Sequence, residues 1–283
     1  MADISAKLVK QLRDKTNAGI MACKKALVAT SGDMDAAEKW LREKGMSDAA
    51  KKSDRETAEG TVAVSTSDDL KSGAILEIKC ETDFVARNSD YSSFAAGLAD
   101  KTVAQDNPTA DTVTSSFEED IKQAIAKFGE NITIGQVGKL TTDTGMVQKY
   151  VHGVGNIGVL ASFKTGKADT VKSDDFVAMT MGVVMHIAAM NPDFLNRDDV
   201  TEETLNEQKE LLSKKAKESG KPDNVIEKMV NGQLNKFYSE ICLLDQPYVK
   251  DQKKKVGDII KDTAKKVGDE ITLENFIRFQ LGA

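Results

Sequence analysis

The sequence contains few of the residues that cross-link chains, bind metals or act as catalysts. Its 283 residues include three cysteines, two histidines and four prolines, and aromatic residues make up 5%. The cysteines (Cys23, Cys80 and Cys242) are odd in number and far apart, so they form neither a disulfide framework nor a C-x-x-C zinc pattern. This usage fits a reducing compartment, and we expect a cytoplasmic protein.

Long apolar runs are also absent. No run approaches the roughly 20 residues that a bilayer crossing requires, and the opening MADISAKLVK has no signal-peptide core. We therefore expect no membrane association. The content of 40% hydrophobic and 30% charged residues is typical of a globular chain with two or three compact units.

Charge is distributed unevenly along the chain. The formal net charge is -6, yet up to Arg55 twelve basic residues face eight acidic ones. A basic N-terminal module can dock on an acidic protein surface or on RNA, and a solvated helix face is the alternative. Because no strand pattern combines aromatic with basic residues, we expect no direct nucleic-acid partner.

Hydrophobic periodicity predicts an α+β fold. Helical spacing predicts three short helices over the first 45 residues, ended by Gly45, and then a helical linker over residues 47–60. From Thr61 the period changes to two, which predicts a β-hairpin with a glycine turn. A helical segment near residues 91–98 follows, and the spacing of Ser116 and Glu119 predicts a capping box for the next helix.

The second half of the chain resembles the first. Gly158 opens a strand-then-helix pattern 85 residues after Gly73 opens a similar one, which predicts two related half-domains; chance similarity is the alternative. Between residues 201 and 243 a Glu/Lys/Leu-rich stretch, interrupted at Gly220, predicts an antiparallel helical hairpin. The predicted parts are a three-helix domain with its linker (1–55), a first half-domain (56–145), a second half-domain in two pieces (146–195 and 244–283) and the inserted hairpin (196–243).

Residues that resemble catalytic or cofactor-binding motifs lack the neighbouring residues that those motifs require. Gly153, Gly155 and Gly158 match a dinucleotide fingerprint by spacing, but a strand-like run follows where a helix must begin, so a hairpin turn is favoured. A P-loop sequence is absent. Cys80 and His152 could form a nucleophile and base only with a group that orients the histidine. We therefore expect no enzyme activity, cofactor or metal.

One segment has no evident structural explanation. Residues 80–86 stand between a predicted strand and a predicted helix, with Phe84 beside Asp83. A phenylalanine at such a position is often a core anchor. The alternative is a functional residue.

Several short motifs occur one after another along the chain. They are Leu12-Arg13 with Thr16 and Ala18-Gly19-Ile20-Met21, Cys23-Lys24-Lys25-Ala26-Leu27, Thr82-Asp83-Phe84-Val85-Ala86, Gly129-Glu130-Asn131-Ile132, Tyr150 with His152-Gly153, Ile157-Gly158-Val159-Leu160, and Gln246-Pro247-Tyr248-Val249. Each is weak alone. As an ordered set they resemble the elongation factor Ts family, translation factors that release guanine nucleotide from elongation factor Tu.

The resemblance implies a fold and a set of contacts. The fold would be an N-terminal three-helix domain similar to ubiquitin-associated domains, a two-part core, an inserted hairpin and a short C-terminal end. The segment Thr82, Asp83, Phe84 and Val85 would disturb the magnesium and nucleotide site of elongation factor Tu. Docking on its G domain would use Arg13, Ile20 and Met21, and the core interface would include Phe128, Gly129 and His152.

Two departures and two open questions accompany the resemblance. Ile20 stands where family members often have methionine, and the sequence ends at Ala283 where the best-known bacterial members continue into another contacting helix. We therefore expect that contact to be missing here. The hairpin could serve self-association or a further contact with elongation factor Tu. The rival function is an adaptor that binds a partner through its three-helix domain.

Overall fold

The structure is a computed structural model that describes residues 4–16, 18–217 and 222–282. Its helices are α1 (Ala6–Thr16), α2 (Ile20–Ala29), α3 (Met34–Ala50), α4 (Asp83–Ala86), α5 (Ser89–Val103), α6 (Ala110–Ser116), α7 (Glu118–Phe128), α8 (Asp174–Met190), α9 (Glu202–Lys217), α10 (Asp223–Ile241) and α11 (Val256–Val267). Its strands are β1 (Glu59–Thr66), β2 (Ser72–Cys80), β3 (Thr133–Thr141), β4 (Gly145–His152), β5 (Ile157–Thr165), β6 (Pro247–Tyr248), β7 (Asp251–Lys255) and β8 (Ile271–Gln280). The predicted α+β class is confirmed. Within the described ranges, no helix has both the length and the apolar character needed to span a bilayer.

Helices α1 to α3 share a small apolar core. It contains Val9, Leu12, Cys23, Ala26, Leu27 and Ala37. The prediction that Gly45 ends the third helix is wrong, because α3 continues to Ala50. A Cβ atom at Gly45 would lie 3.0 Å from the Cβ of Ala126 on α7, so this glycine permits close helix packing. The predicted helical linker is helical only up to Ala50, and β1 begins at Glu59.

The first half of the core is an antiparallel sheet in the order β1-β2-β3. Alternate residues of β2, including Leu76 and Ile78, contribute to a buried cluster with residues of α5 and α7. The predicted capping box at Ser116 is wrong, because Ser116 is the last residue of α6 and α7 begins without a side-chain cap. A capping box does form at the start of α6, between Thr109 and Thr112.

The second half of the core is an antiparallel sheet in the order β4-β5-β8. Its own cluster includes residues of α8 and α11. The two sheets meet through a further cluster made of Val62, Ile75, Leu140, Val147 and Leu160. Glycine permits this contact, since a Cβ at Gly158 would lie 2.4 Å from Val62.

The turn between β4 and β5 occupies residues 153–156. Gly153 and Gly155 adopt positive φ angles of 63° and 100°, which suit glycine. Strand β5 follows directly, so the favoured hairpin turn is confirmed and the dinucleotide alternative is wrong. Backbone hydrogen bonding from the Val62 N–H to the Gly155 carbonyl, at 2.7 Å, fixes this turn against β1.

Helices α9 and α10 contact each other and leave the core at one place. Phe194 and Cys242 form an isolated β-bridge, and the N–H of Leu243 donates to the carbonyl of Phe194 at 2.8 Å. Arg197 lies over the ring of Tyr238 and pairs with Asp245 at 2.8 Å. The two ends of the insertion are therefore joined at its root. Whether the two core halves are related repeats stays a prediction.

Candidate partner-binding surface

Phe84 projects into solvent from the one-turn helix α4. Its side chain is 84% exposed, whereas Ala86 is buried and Val85 packs against the first core cluster. Thr82 caps the helix, because its hydroxyl oxygen accepts the N–H of Val85 at 3.4 Å. The core-anchor alternative for Phe84 is therefore wrong. An exposed phenylalanine on an anchored turn is a feature suited to contact with another molecule.

A network of acidic and amide side chains lies beneath α4. Glu130 accepts the N–H groups of Glu81 and Thr82, both at 3.0 Å, and the Thr82 hydroxyl at 2.6 Å. In the opposite direction, Glu81 accepts the N–H of Asn131 at 2.6 Å. Asn131 is 2% exposed and donates its amide to the carbonyls of Ser53 and Arg55. Reciprocal hydrogen bonds therefore connect the segment after β2 with the segment before β3.

Sequence reasoning assigned no role to Glu81, Glu130 or Asn131. Glu130 and Asn131 did stand in one of the motifs that carry the family resemblance. Their spacing to Thr82 of nearly fifty residues gave no signal of contact, because no periodic pattern spans that distance. Only the placement of the strands brings them together.

Asp83 lies beside a shallow groove. Its carboxylate pairs with Arg87 one helical turn later, at 3.3 Å, and both side chains are substantially exposed. The groove is lined by Glu59, Gly60, Asp83, Ala86, Arg87, Val154, Asn156 and Leu281. Helix α4 and the turn between β4 and β5 therefore belong to one face of the core.

The predicted core-interface residues have different surroundings. His152 is exposed at the end of β4, and its Nδ1 lies 3.0 Å from the Tyr150 hydroxyl. Val154, two residues later, is 66% exposed and lines the groove with Asp83. Phe128 packs edge-on against the buried Tyr91, with ring centroids 5.5 Å apart, and Gly129 caps α7 with a left-handed backbone.

The predicted docking residues lie on α1 and α2. Arg13 is exposed in the last turn of α1, and Ile20 and Met21, which open α2, are 54% and 64% exposed. Five exposed residues fall within one arc of α2, namely Ile20, Met21, Lys24, Lys25 and Val28. We call this set the α2 face. Its apolar side chains beside two lysines suit an apolar patch with acidic neighbours on a partner.

Covalent chemistry finds little support at this surface. Cys80 is buried, its thiol donates to the Thr82 carbonyl at 3.3 Å, and burial raises its pKa to about 11. A thiol held neutral in this way is a poor nucleophile, and His152 contacts Tyr150 instead. Among the described residues, no group of three or more His, Cys, Asp or Glu side chains is placed to hold a metal ion.

Comparisons with known proteins all indicate the same family. The family model described as "Elongation factor TS" matches residues 81–283. Elongation factor Ts of Desulfovibrio desulfuricans is 41% identical over the whole of both chains. The proteins of that name from Clostridium perfringens (strain SM101) and Bdellovibrio bacteriovorus are 41% and 43% identical, over 99% of this chain and 93% of theirs. Because the family model matches most of the chain and these relatives span nearly all of it, the chain belongs to the elongation factor Ts family.

Proposed function

We propose that this protein promotes release of GDP from elongation factor Tu during translation elongation in the cytoplasm, with Phe84 as the residue that enters the partner. Membership of the elongation factor Ts family supports the exchange function. The single observation that carries the role of Phe84 is its exposure on a turn whose backbone is tied to the core. An apolar ring of this size is not needed for the fold at that position.

Exchange of this kind is a coupling between two binding sites. The factor and the nucleotide weaken each other's binding to the partner, and the effect is reciprocal by linkage. A bound Mg²⁺ requires near-ideal octahedral oxygen ligands, so a small displacement of those ligands lowers nucleotide affinity steeply. No covalent bond is formed or broken. The protein therefore needs a rigid apolar projection rather than a catalytic group.

Phe84 and Asp83 suit complementary roles in that displacement. Burying a phenylalanine side chain that is exposed in the free protein is worth roughly 1.5–3 kcal/mol, which can offset a local distortion of the partner. Among the described residues, the Asp83 carboxylate pairs with Arg87 at an exposed site, so it can exchange that partner at low cost. We assign Asp83, Thr82 and Val85 to the same contact.

Docking uses other parts of the molecule. Arg13 and the α2 face would bind the G domain of elongation factor Tu, which would hold the factor while α4 acts on the nucleotide site. His152 would extend the contact along the core, together with Phe128 and Gly129. Charge in the N-terminal contact acts mainly on the rate of association.

Release of fluorescent GDP from elongation factor Tu tests the proposal. Phe84→Ala should unfold at an unchanged temperature, since substitutions at exposed sites alter stability by only about 0.5 kcal/mol, and should slow the stimulated release. Phe163→Ala is the buried contrast and should cost about 3–5 kcal/mol of stability. A folded Phe84→Ala protein with full exchange activity would refute the proposal that Phe84 enters the partner. An adaptor would leave the release rate unchanged even with the unmodified protein.

A further inference from the structure

We infer that Glu130 is a positioning residue: its carboxylate holds α4 in place before the partner arrives, so that Phe84 is presented in a ready geometry. The inference rests on the proposed function of Phe84 and assigns the part of the fold that serves it. Glu130 lies on the segment between α7 and β3, far from Phe84 in sequence. It acts through the Thr82 hydroxyl and through the backbone N–H groups of Glu81 and Thr82.

Helix α4 is too short to be stable on its own. It has four residues, and a single helical turn is unfavourable in water because nucleation fixes several residues for one hydrogen bond. An exposed phenylalanine adds no packing to the turn. Its order must therefore come from contacts with the rest of the protein.

Glu130 supplies those contacts at the start of the turn. One carboxylate oxygen accepts the backbone N–H groups of Glu81 and Thr82, and the other accepts the Thr82 hydroxyl at 2.6 Å. Hydrogen bonds to an ionised carboxylate are stronger than those between neutral groups. Because the hydroxyl proton of Thr82 points to Glu130, its oxygen is free to accept the N–H of Val85. The same carboxylate therefore fixes both the backbone and the cap of α4.

The base of Glu130 is itself fixed. It follows Gly129, the left-handed cap of α7, and precedes Asn131, whose backbone N–H is held by Glu81. The Asn131 amide is anchored on two carbonyls of the segment before β1. The carboxylate thus stands on a rigid support, and α4 is ordered in the free protein without the partner.

This arrangement predicts a specific kinetic signature. If Glu130→Ala lowers the ordered population of α4 to about one tenth, the apparent affinity falls about tenfold, because only the ordered form binds productively. The concentration of factor that gives half-maximal GDP release should then rise about tenfold, while the maximal rate is kept. Glu130→Gln retains an acceptor for the backbone but loses the charge, so its effect should be smaller. Glu119→Ala, at an exposed site on α7, is the matched control and should change neither quantity.

Amide hydrogen exchange on the free protein supplies a second readout that needs no partner. Glu130→Ala should speed exchange at Glu81, Thr82 and Val85, while the amides of β5 keep their protection. A variant with general loss of protection would instead report a role in global stability. If Glu130→Ala does not fold, Glu130→Gln is measured in the same two ways.

A double variant separates this inference from the proposed function. In a Phe84→Ala background, Glu130→Ala should raise the half-maximal concentration by less than about twofold, because the turn no longer presents the residue that benefits from order. An undiminished effect in that background, or unchanged exchange kinetics in the single variant, would overturn the positioning role alone. Full activity of Phe84→Ala would overturn the proposed role of Phe84 and this inference with it.

Discussion

His186 Nε2 lies 2.8 Å from the side-chain oxygen of Gln246, and both residues are buried. The other ring nitrogen, Nδ1, accepts the backbone N–H of Val249 at 3.1 Å. Since an N–H can only donate, Nδ1 carries no proton and Nε2–H must donate to Gln246. The contact joins α8 to the segment after α10 and fixes a neutral imidazole.

The neutral state of His186 predicts a loss of stability in mild acid. Burial lowers its pKa from the ordinary value of 6.5, so the unfolded state binds the proton more readily than the folded state. The stability contributed by the neutral ring is therefore complete above about pH 6.5 and is lost as the pH falls from there toward the folded-state pKa. The slope should approach about 1.4 kcal/mol per pH unit within that window. Urea unfolding at closely spaced pH values measures it.

Removal of the buried ring tests this assignment. His186→Gln should flatten the curve between about pH 6.5 and the folded-state pKa of His186, whatever it does to stability at neutral pH. Equal slopes in the unmodified protein and in His186→Gln would show that this ring is not the titrating group.

Local sequence rules predicted the elements where local physics decides them. The alternation from Thr61 onward predicted the β1–β2 hairpin, but the predicted glycine turn is wrong, because Gly73 pairs within β2 and Leu70 adopts the positive φ angle. The Glu/Lys/Leu-rich stretch predicted the helices α9 and α10, and its interruption at Gly220 lies outside the described residues. The glycine-rich run before Val159 predicts a turn because the residues that follow it have the pattern of a strand and not of a helix. In each case the pattern and its consequence lie within one continuous segment of the chain.

The same rules failed where distant parts of the chain meet. Gly45 has the local character of a helix stop, but packing of α3 on α7 places it inside a helix, where its lack of a side chain allows close approach to Ala126. Nothing local marks Asn131 as a buried donor, because the two carbonyls that accept its amide lie 78 and 76 residues earlier in the chain. Exposure of Phe84 could not be inferred either, because an aromatic residue at a strand end suits core and surface equally.

A separate prediction concerns the N-terminal contact. Arg13→Ala should slow association with elongation factor Tu and reduce the dependence of that rate on salt, because an exposed charge acts over distance and is screened by ions. Lys7→Ala is the matched control: it removes one positive charge from another face of α1. Stopped-flow association at two ionic strengths compares them. Equal behaviour of the two variants would indicate a general effect of net charge rather than a docking role for Arg13.

The helical hairpin should be dispensable for folding of the core. Its ends are joined by the bridge between Phe194 and Cys242, and Arg197 secures the last turns of α10 through Asn235 and Tyr238. Replacing residues 204–232 by a short glycine-rich loop leaves these contacts intact. The closure entropy of a loop changes by only about 0.6 kcal/mol for each doubling of its length. Stability of the core should therefore stay within about 1 kcal/mol, with a single cooperative transition in urea.

Two measurements that compare the full and the shortened protein distinguish the two roles of the hairpin, self-association and contact with elongation factor Tu. Sedimentation would show whether the full chain associates with itself and whether the shortened chain has lost that ability. GDP release from elongation factor Tu would show whether the hairpin adds a contact with the partner, since its removal would then raise the half-maximal concentration of the factor. A broad or multistep unfolding transition would contradict the prediction itself, because it would mean that α9 and α10 stabilise the second sheet through more than the root they share with it.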